Sequence, residues 1–173
     1  MPNKIVDIYN HTLGIKGFDY DQINEEVFIG TNMCCQVGFN KELLKKNVKA
    51  DISLEEFRVD APIGVDYYLW LPTKNHESPT LDKLMLGVQT LDFLISRKIK
   101  VYIHCKNGHG RAPTLYLAYL IKEGVEVDEA IKYLKHKRSV IHFTQNQMNA
   151  LRGFKNSLKN TFSNKTQTHL ANI

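Results

Sequence analysis

Lys100-Val101-Tyr102-Ile103-His104 is a short β-rich run that passes directly into Cys105-Lys106-Asn107-Gly108-His109-Gly110-Arg111. The residues that follow, Leu115 to Ile121, are apolar nearly all round. A strand without polar alternation belongs at the buried centre of a sheet, and a helix that is apolar all round is itself buried. Both demands are met when helices cover a parallel sheet. The expected fold is therefore α/β, with a central, mostly parallel β-sheet flanked by α-helices.

The rest of the chain fits that plan. Strands are predicted at 26–30, 48–54 and 65–71, the last rich in aromatics and stopped by Pro72. Asn40 can cap a short helix carrying Leu43 and Leu44, with Asn47 closing it. Ser78 followed by Pro79 reads as the start of a longer helix, in which Leu84, Val88, Leu91 and Ile95 share a face as far as about Arg97. Asp128 is placed as the cap of a further helix. Lys135, Lys137 and Arg138 near its end suit the helix dipole. Thr144 and Gln147 have capping-box spacing ahead of Met148, Leu151, Phe154 and Leu158. A chain of 173 residues suits one core, so residues 1–160 are read as a single domain. From 161 to 173 the sequence is polar without an apolar period, and a flexible tail is expected.

Cys105 has the setting of a nucleophile. A cysteine attacks as the thiolate, which at its ordinary pKa is a minor form at neutral pH, so something must stabilise the anion. A strand-loop-helix turn aims backbone N–H groups and a helix N-terminus into one cup, which suits both a thiolate and a phosphoryl group. Gly108 and Gly110 permit the close backbone approach. Arg111 supplies a planar fork for two phosphoryl oxygens. The backbone of Lys106, Asn107, Gly108, His109 and Gly110 completes the cradle, and His104 is expected to orient the loop or hydrogen-bond near the sulfur.

This segment resembles the His-Cys-X5-Arg signature of the protein tyrosine phosphatase superfamily, in its compact dual-specificity branch. Gly64 to Pro72, Pro79-Thr80-Leu81, the loop itself and Ile141 to Phe154 follow that branch's order across residues 23–158. The resemblance implies a dual-specificity phosphatase-like fold and a cofactor-free, metal-independent phosphomonoesterase. It would work through a phosphocysteine intermediate on phosphotyrosine, phosphoserine or phosphothreonine proteins. Lys106 and His109 are similar to the basic loop residues of members that act on phosphoinositides or phosphatidylglycerol phosphate. Arg111-Ala112-Pro113 resembles the loop ending of some glucan phosphatases.

Two positions depart from the pattern. The family's general-acid aspartate falls at Asn75, which cannot donate and recover a proton. Glu77 and then His76 are the favoured substitutes, with Asp82 and Asp66 as alternatives if the loop aligns differently. The hydroxyl usually found after the arginine is replaced by Ala112, and Thr114 stands two residues later. These departures motivate a rival reading, a weakly active phosphate-binding relative. A rhodanese-like sulfur transferase is disfavoured by the position of Arg111 and by the helical C-terminal half.

Composition narrows the remaining classes. With 43% apolar and 24% charged residues the chain is not built for disorder, and no apolar run is long enough to span a bilayer. Met1-Pro2-Asn3-Lys4 opens no secretory pattern, so a cytoplasmic monomer is expected. The charge of +5 favours phosphorylated substrates without a nucleic-acid-binding pattern. Cys34, Cys35 and Cys105 are too few for a disulfide framework and read as free thiols. An oxidative link from Cys34 or Cys35 to Cys105 is a further possibility.

Overall fold

The computed structural model describes residues 17–170, with side chains described to Lys159. Met1 to Lys4 and positions 171–173 lie outside the described residues.

Five strands form one sheet in the order β1-β2-β5-β3-β4. They are β1 (Tyr20–Gln22), β2 (Val27–Thr31), β3 (Val48–Ser53), β4 (Tyr67–Trp70) and β5 (Lys100–Cys105). Only β1 runs antiparallel to its neighbour; β2, β5, β3 and β4 pair in parallel. β5 is the central strand, as its unalternating composition predicts. The edge strand β1 was not anticipated, because three residues of mixed polarity carry no period.

The pleat sorts the side chains of β5 to two faces. Val101, Ile103 and Cys105 join the larger core with Leu84, Leu91, Leu115 and Leu151. These come from α2 (Leu81–Ser96), α3 (Arg111–Lys122) and α5 (Gln145–Leu170), and α4 (Val127–Lys137) adds Ala130 and Leu134. Tyr102 points the other way, into a smaller core with Phe28, Cys34, Cys35, Phe39 and Leu43, beneath α1 (Lys41–Lys45). The sheet is thus covered on both faces, more deeply on one.

The local signals were read correctly where they are self-contained. Asn40 caps α1, accepting from the Glu42 and Leu43 amides, and Asn47 ends it at φ 62°. Thr144 and Gln147 make the reciprocal bonds of a capping box: the Thr144 amide donates to Gln147 Oε1, and the Gln147 amide to Thr144 Oγ1. Two caps differ. α2 is capped by Thr80 rather than Ser78, whose hydroxyl bonds the Pro79 carbonyl instead. α4 is preceded by Glu126, leaving Asp128 in the first turn, where its charge still favours the helix dipole. α5 continues to Leu170, past position 161 where the sequence reading begins a tail.

Candidate active site

Cys105 ends β5 and Arg111 begins α3, so the loop between them joins the C-terminal end of the central strand to a helix N-terminus. Ligands of parallel sheets bind at this edge. Cys105, Asn107, His109, Gly110 and Arg111 all line one cleft.

The loop lies close against β2, and glycine makes this possible. Gly108 has φ +65°, and a Cβ there would come within 2.5 Å of the Gly30 carbonyl oxygen. Gly30 is equally crowded: its Cβ would meet Asp19 O and the Tyr102 hydroxyl at 2.3 Å. That hydroxyl donates to the Thr31 carbonyl at 2.8 Å, fixing the end of β2 beneath the loop.

Arg111 is 4% exposed and is oriented from three sides. Its Nη1 donates to the carbonyls of Leu54 at 3.0 Å and Thr73 at 2.7 Å, while Nη2 lies 3.5 Å from Glu55 Oε1. Glu55 in turn accepts from Asn32 Nδ2. Glu55 carries no sequence pattern of its own; its place just after β3 is what brings it to the arginine. The hydroxyl of Thr114 donates to the Gly110 carbonyl at 2.9 Å, so its bond is to the helix backbone. Ala112 is fully buried.

His104 faces away from the cleft. Period-two alternation puts it on the Tyr102 side of β5, where Nε2 lies 3.3 Å from Asp51 Oδ1, 3.4 Å from Cys35 Sγ and 3.7 Å from Asp60 Oδ2. The expectation of a bond near the Cys105 sulfur gives way to this buried polar cluster. Burial raises the Asp51 carboxyl above its ordinary pKa, with His104 opposing the shift.

The loop from Thr73 to Glu77 separates the acid candidates. Asn75 and His76 line the cleft. The Glu77 carboxylate instead accepts from Asn146 Nδ2 on α5 at 2.9 Å, and its carbonyl accepts from Gln147 Nε2 at 3.1 Å. His76 has φ 64°, a left-handed conformation that side chains adopt at a cost, and its carbonyl accepts from the Thr144 hydroxyl. Asp66 pairs with Lys49 at 3.8 Å, and Asp82 lies in the first turn of α2. Neither lines the cleft.

Two more imidazoles stand there. His109 is 4% exposed, and its ring packs edge-on to that of His142 with centroids 5.1 Å apart. His142 also donates its amide to the His109 carbonyl. Lys106, by contrast, is exposed and does not line the cleft.

Arg138 stands at the end of α4, as the dipole reading expects, but its side chain is engaged elsewhere. It is buried, donating Nε to the Gly108 carbonyl at 3.0 Å, Nη1 to Asp21 and Nη2 to Asp19, each at 2.6 Å. It ties the loop after β5 to β1 and the end of α4. Arg138→Met is expected to cost about 2–4 kcal/mol in denaturant melts, below the full penalty for a buried pair because both aspartates can rehydrate. Unchanged stability would show that this bridge carries no weight.

The sulfurs of Cys34 and Cys35 lie side by side, and Cys105 is free and apart from them. The two pack in the smaller core while Cys105 packs in the larger, on opposite faces of the sheet. A link from either to Cys105 would have to cross it.

The sequence model of the family described as dual specificity phosphatase, catalytic domain, matches residues 27–157. A human phosphatidylglycerophosphatase and protein-tyrosine phosphatase 1 is 39% identical over 77 residues, covering 44% of this chain and 38% of the relative. A rat dual specificity protein phosphatase 5 is 31% identical over 77 residues, or 43% of this chain and 20% of the relative. These matches span well under half of the curated relatives' length. Among solved structures, PTPMT1 superposes with a TM-score of 0.70 at 26% identity, covering 84% of this chain and 99% of that one. It has also been solved in complex with PI(5)P. Human DUSP28 has a TM-score of 0.72 at 17% identity, covering 82% and 99%, and shares the fold.

Proposed function

Because the chain belongs to the dual specificity phosphatase catalytic domain family, we propose that it hydrolyses phosphomonoesters through a phosphocysteine at Cys105. The observation that carries this reading is the pairing of Cys105 with a pre-oriented Arg111 in one cleft, on a loop that leads into a helix N-terminus. The Cys105 thiolate attacks phosphorus, an S–P bond forms, and the ester P–O bond breaks as the leaving oxygen takes a proton. Water then attacks phosphorus, the S–P bond breaks, and inorganic phosphate departs with the thiolate restored. Arg111 and the backbone from Lys106 to Gly110 hold the phosphoryl oxygens throughout. No metal or cofactor enters these steps.

The proton donor in this reading is His76 rather than Glu77. His76 reaches the cleft in a conformation that costs energy, whereas the Glu77 carboxylate is engaged by α5. His76→Ala is expected to lower kcat about 10²-fold on an alkyl phosphate, whose leaving oxygen needs the proton, with little change on an activated aryl phosphate. Glu77→Gln should change neither. If Asn75→Asp raises alkyl phosphate turnover while His76→Ala leaves it intact, the donor assignment fails.

A phosphorylated lipid head group is a second substrate reading, alongside phosphoproteins. It is supported by the imidazole pair His109 and His142 at the cleft and by the similarity to a phosphatidylglycerophosphatase and to PTPMT1, solved with PI(5)P. Kinetics on matched phosphotyrosyl peptides, phosphothreonyl peptides and water-soluble phosphoinositides separate the two. No helix among the described residues is long and apolar enough to cross a membrane. A binding-only relative would bind these ligands and turn over none, including the activated aryl ester.

A further inference from the structure

On the face of the sheet opposite the cleft, Cys34, Cys35, Asp51 and His104 bring four potential metal-ligating atoms within 4.8 Å of one another, and all four residues are buried. They come from three places. Asp51 and His104 lie on the adjacent central strands β3 and β5, and the cysteines follow β2. Period-two alternation points both strand residues to this face, where Ser53 and His104 are direct partners across the ladder.

The cluster is short of positive charge. Both carboxylate oxygens of Asp51 are buried without a hydrogen-bond partner, and so is Nδ1 of His104. An ionised carboxylate in such surroundings is unfavourable unless a cation or donors meet it. The Arg58 guanidinium is engaged with Asp60, whose other oxygen accepts from Ser53. The His104 imidazole, 3.3 Å from Asp51, is the sole basic group that contacts it among the described residues.

We propose that the reduced protein binds a zinc ion here, through the thiolates of Cys34 and Cys35, Nε2 of His104 and a carboxylate oxygen of Asp51. Two sulfurs, a nitrogen and an oxygen suit tetrahedral Zn²⁺ and do not suit Mg²⁺ or Ca²⁺, which take oxygen ligands. With metal–ligand bonds of about 2.0–2.3 Å, the edges of such a tetrahedron are about 3.3–3.8 Å, within reach of the present spread by small movements. A disulfide between the two cysteines is the oxidised, metal-free form. A dithiol reductant supplies two electrons and two protons to open it and is itself oxidised to a disulfide. Zn²⁺ then displaces the two thiol protons. The ion would tie the turn after β2 to the end of β5, one residue before Cys105, as a structural centre apart from the chemistry.

The test is metal analysis of the full chain, produced with zinc present and purified under a phosphine reductant. About one equivalent of zinc should survive desalting, in wild type and in Cys105→Ser alike. It should be lost from the Cys34→Ser/Cys35→Ser double variant and weakened in Asp51→Asn. Cobalt substitution of wild type should give thiolate-to-cobalt charge transfer and the intense visible bands of a tetrahedral site, and oxidation should abolish them as the disulfide closes. The cobalt spectrum keeps the test open if a variant fails to fold. Zinc far below one equivalent in reduced wild type overturns the proposal. So does zinc that depends on Cys105 but not on Cys34 and Cys35, or a cobalt spectrum without thiolate bands. These readouts do not involve turnover and stand whether or not the chain is a phosphatase.

Discussion

Cys105→Ser is expected to remove turnover of an activated aryl phosphate, by about 10⁴-fold or more, while the melting temperature stays close to wild type. The size follows from the proposed role: if the sulfur is the attacking atom, its replacement removes the covalent route as a whole. Stability should be nearly unaffected, because the change is near-isosteric and Cys105 makes no disulfide. The variant should still bind inorganic phosphate, since Arg111 and the loop remain. Turnover retained within about tenfold of wild type would contradict covalent catalysis at this residue.

Arg111→Lys is expected to lower kcat/KM by about 10²–10⁴-fold, although the charge is kept. The guanidinium serves two purposes at once. Nη1 is engaged by the Leu54 and Thr73 carbonyls and Nη2 lies 3.5 Å from Glu55, which fixes the guanidinium where it lines the cleft. An ammonium offers no planar fork and cannot hold two phosphoryl oxygens while satisfying the carbonyls. Most of the loss should therefore appear in kcat, where charge develops, with a smaller loss of phosphate affinity. Glu55→Gln should give a weaker form of the same defect, because it keeps the shape of the partner without its charge. Equal activity of Arg111→Lys and wild type would mean that the fork is not used.

The loop from Cys105 to Arg111 was legible in the sequence because its residues are contiguous. A strand, a cysteine, two glycines and an arginine in register need no tertiary information. The Asn40 cap and the Thr144–Gln147 capping box were legible for the same reason, as each closes within one turn of helix.

What escaped depends on the pleat and on long-range packing. His104 is expected from sequence to orient the loop or to bond near the sulfur, yet neighbouring residues on a strand face opposite ways. Arg138 had a complete local explanation at a helix C-terminus, and nothing local announces Asp19, Asp21 or the Gly108 carbonyl as its partners. Glu77 was preferred for its carboxyl chemistry; the left-handed turn at His76 and the contact with Asn146 redirect it. Asp51 lay unnoticed in an alternating strand, and only the register of β3 on β5 brings it to His104 and the two cysteines.

Acid quench of the enzyme during turnover of an activated aryl phosphate, followed by peptide mass spectrometry, tests the central claim most directly. The account predicts one added phosphoryl group on the peptide containing Cys105, lost on treatment that cleaves thiophosphate esters and absent from Cys105→Ser. Full turnover with the phosphoryl group on His109 or His76, or with Cys105 unmodified throughout, would contradict it.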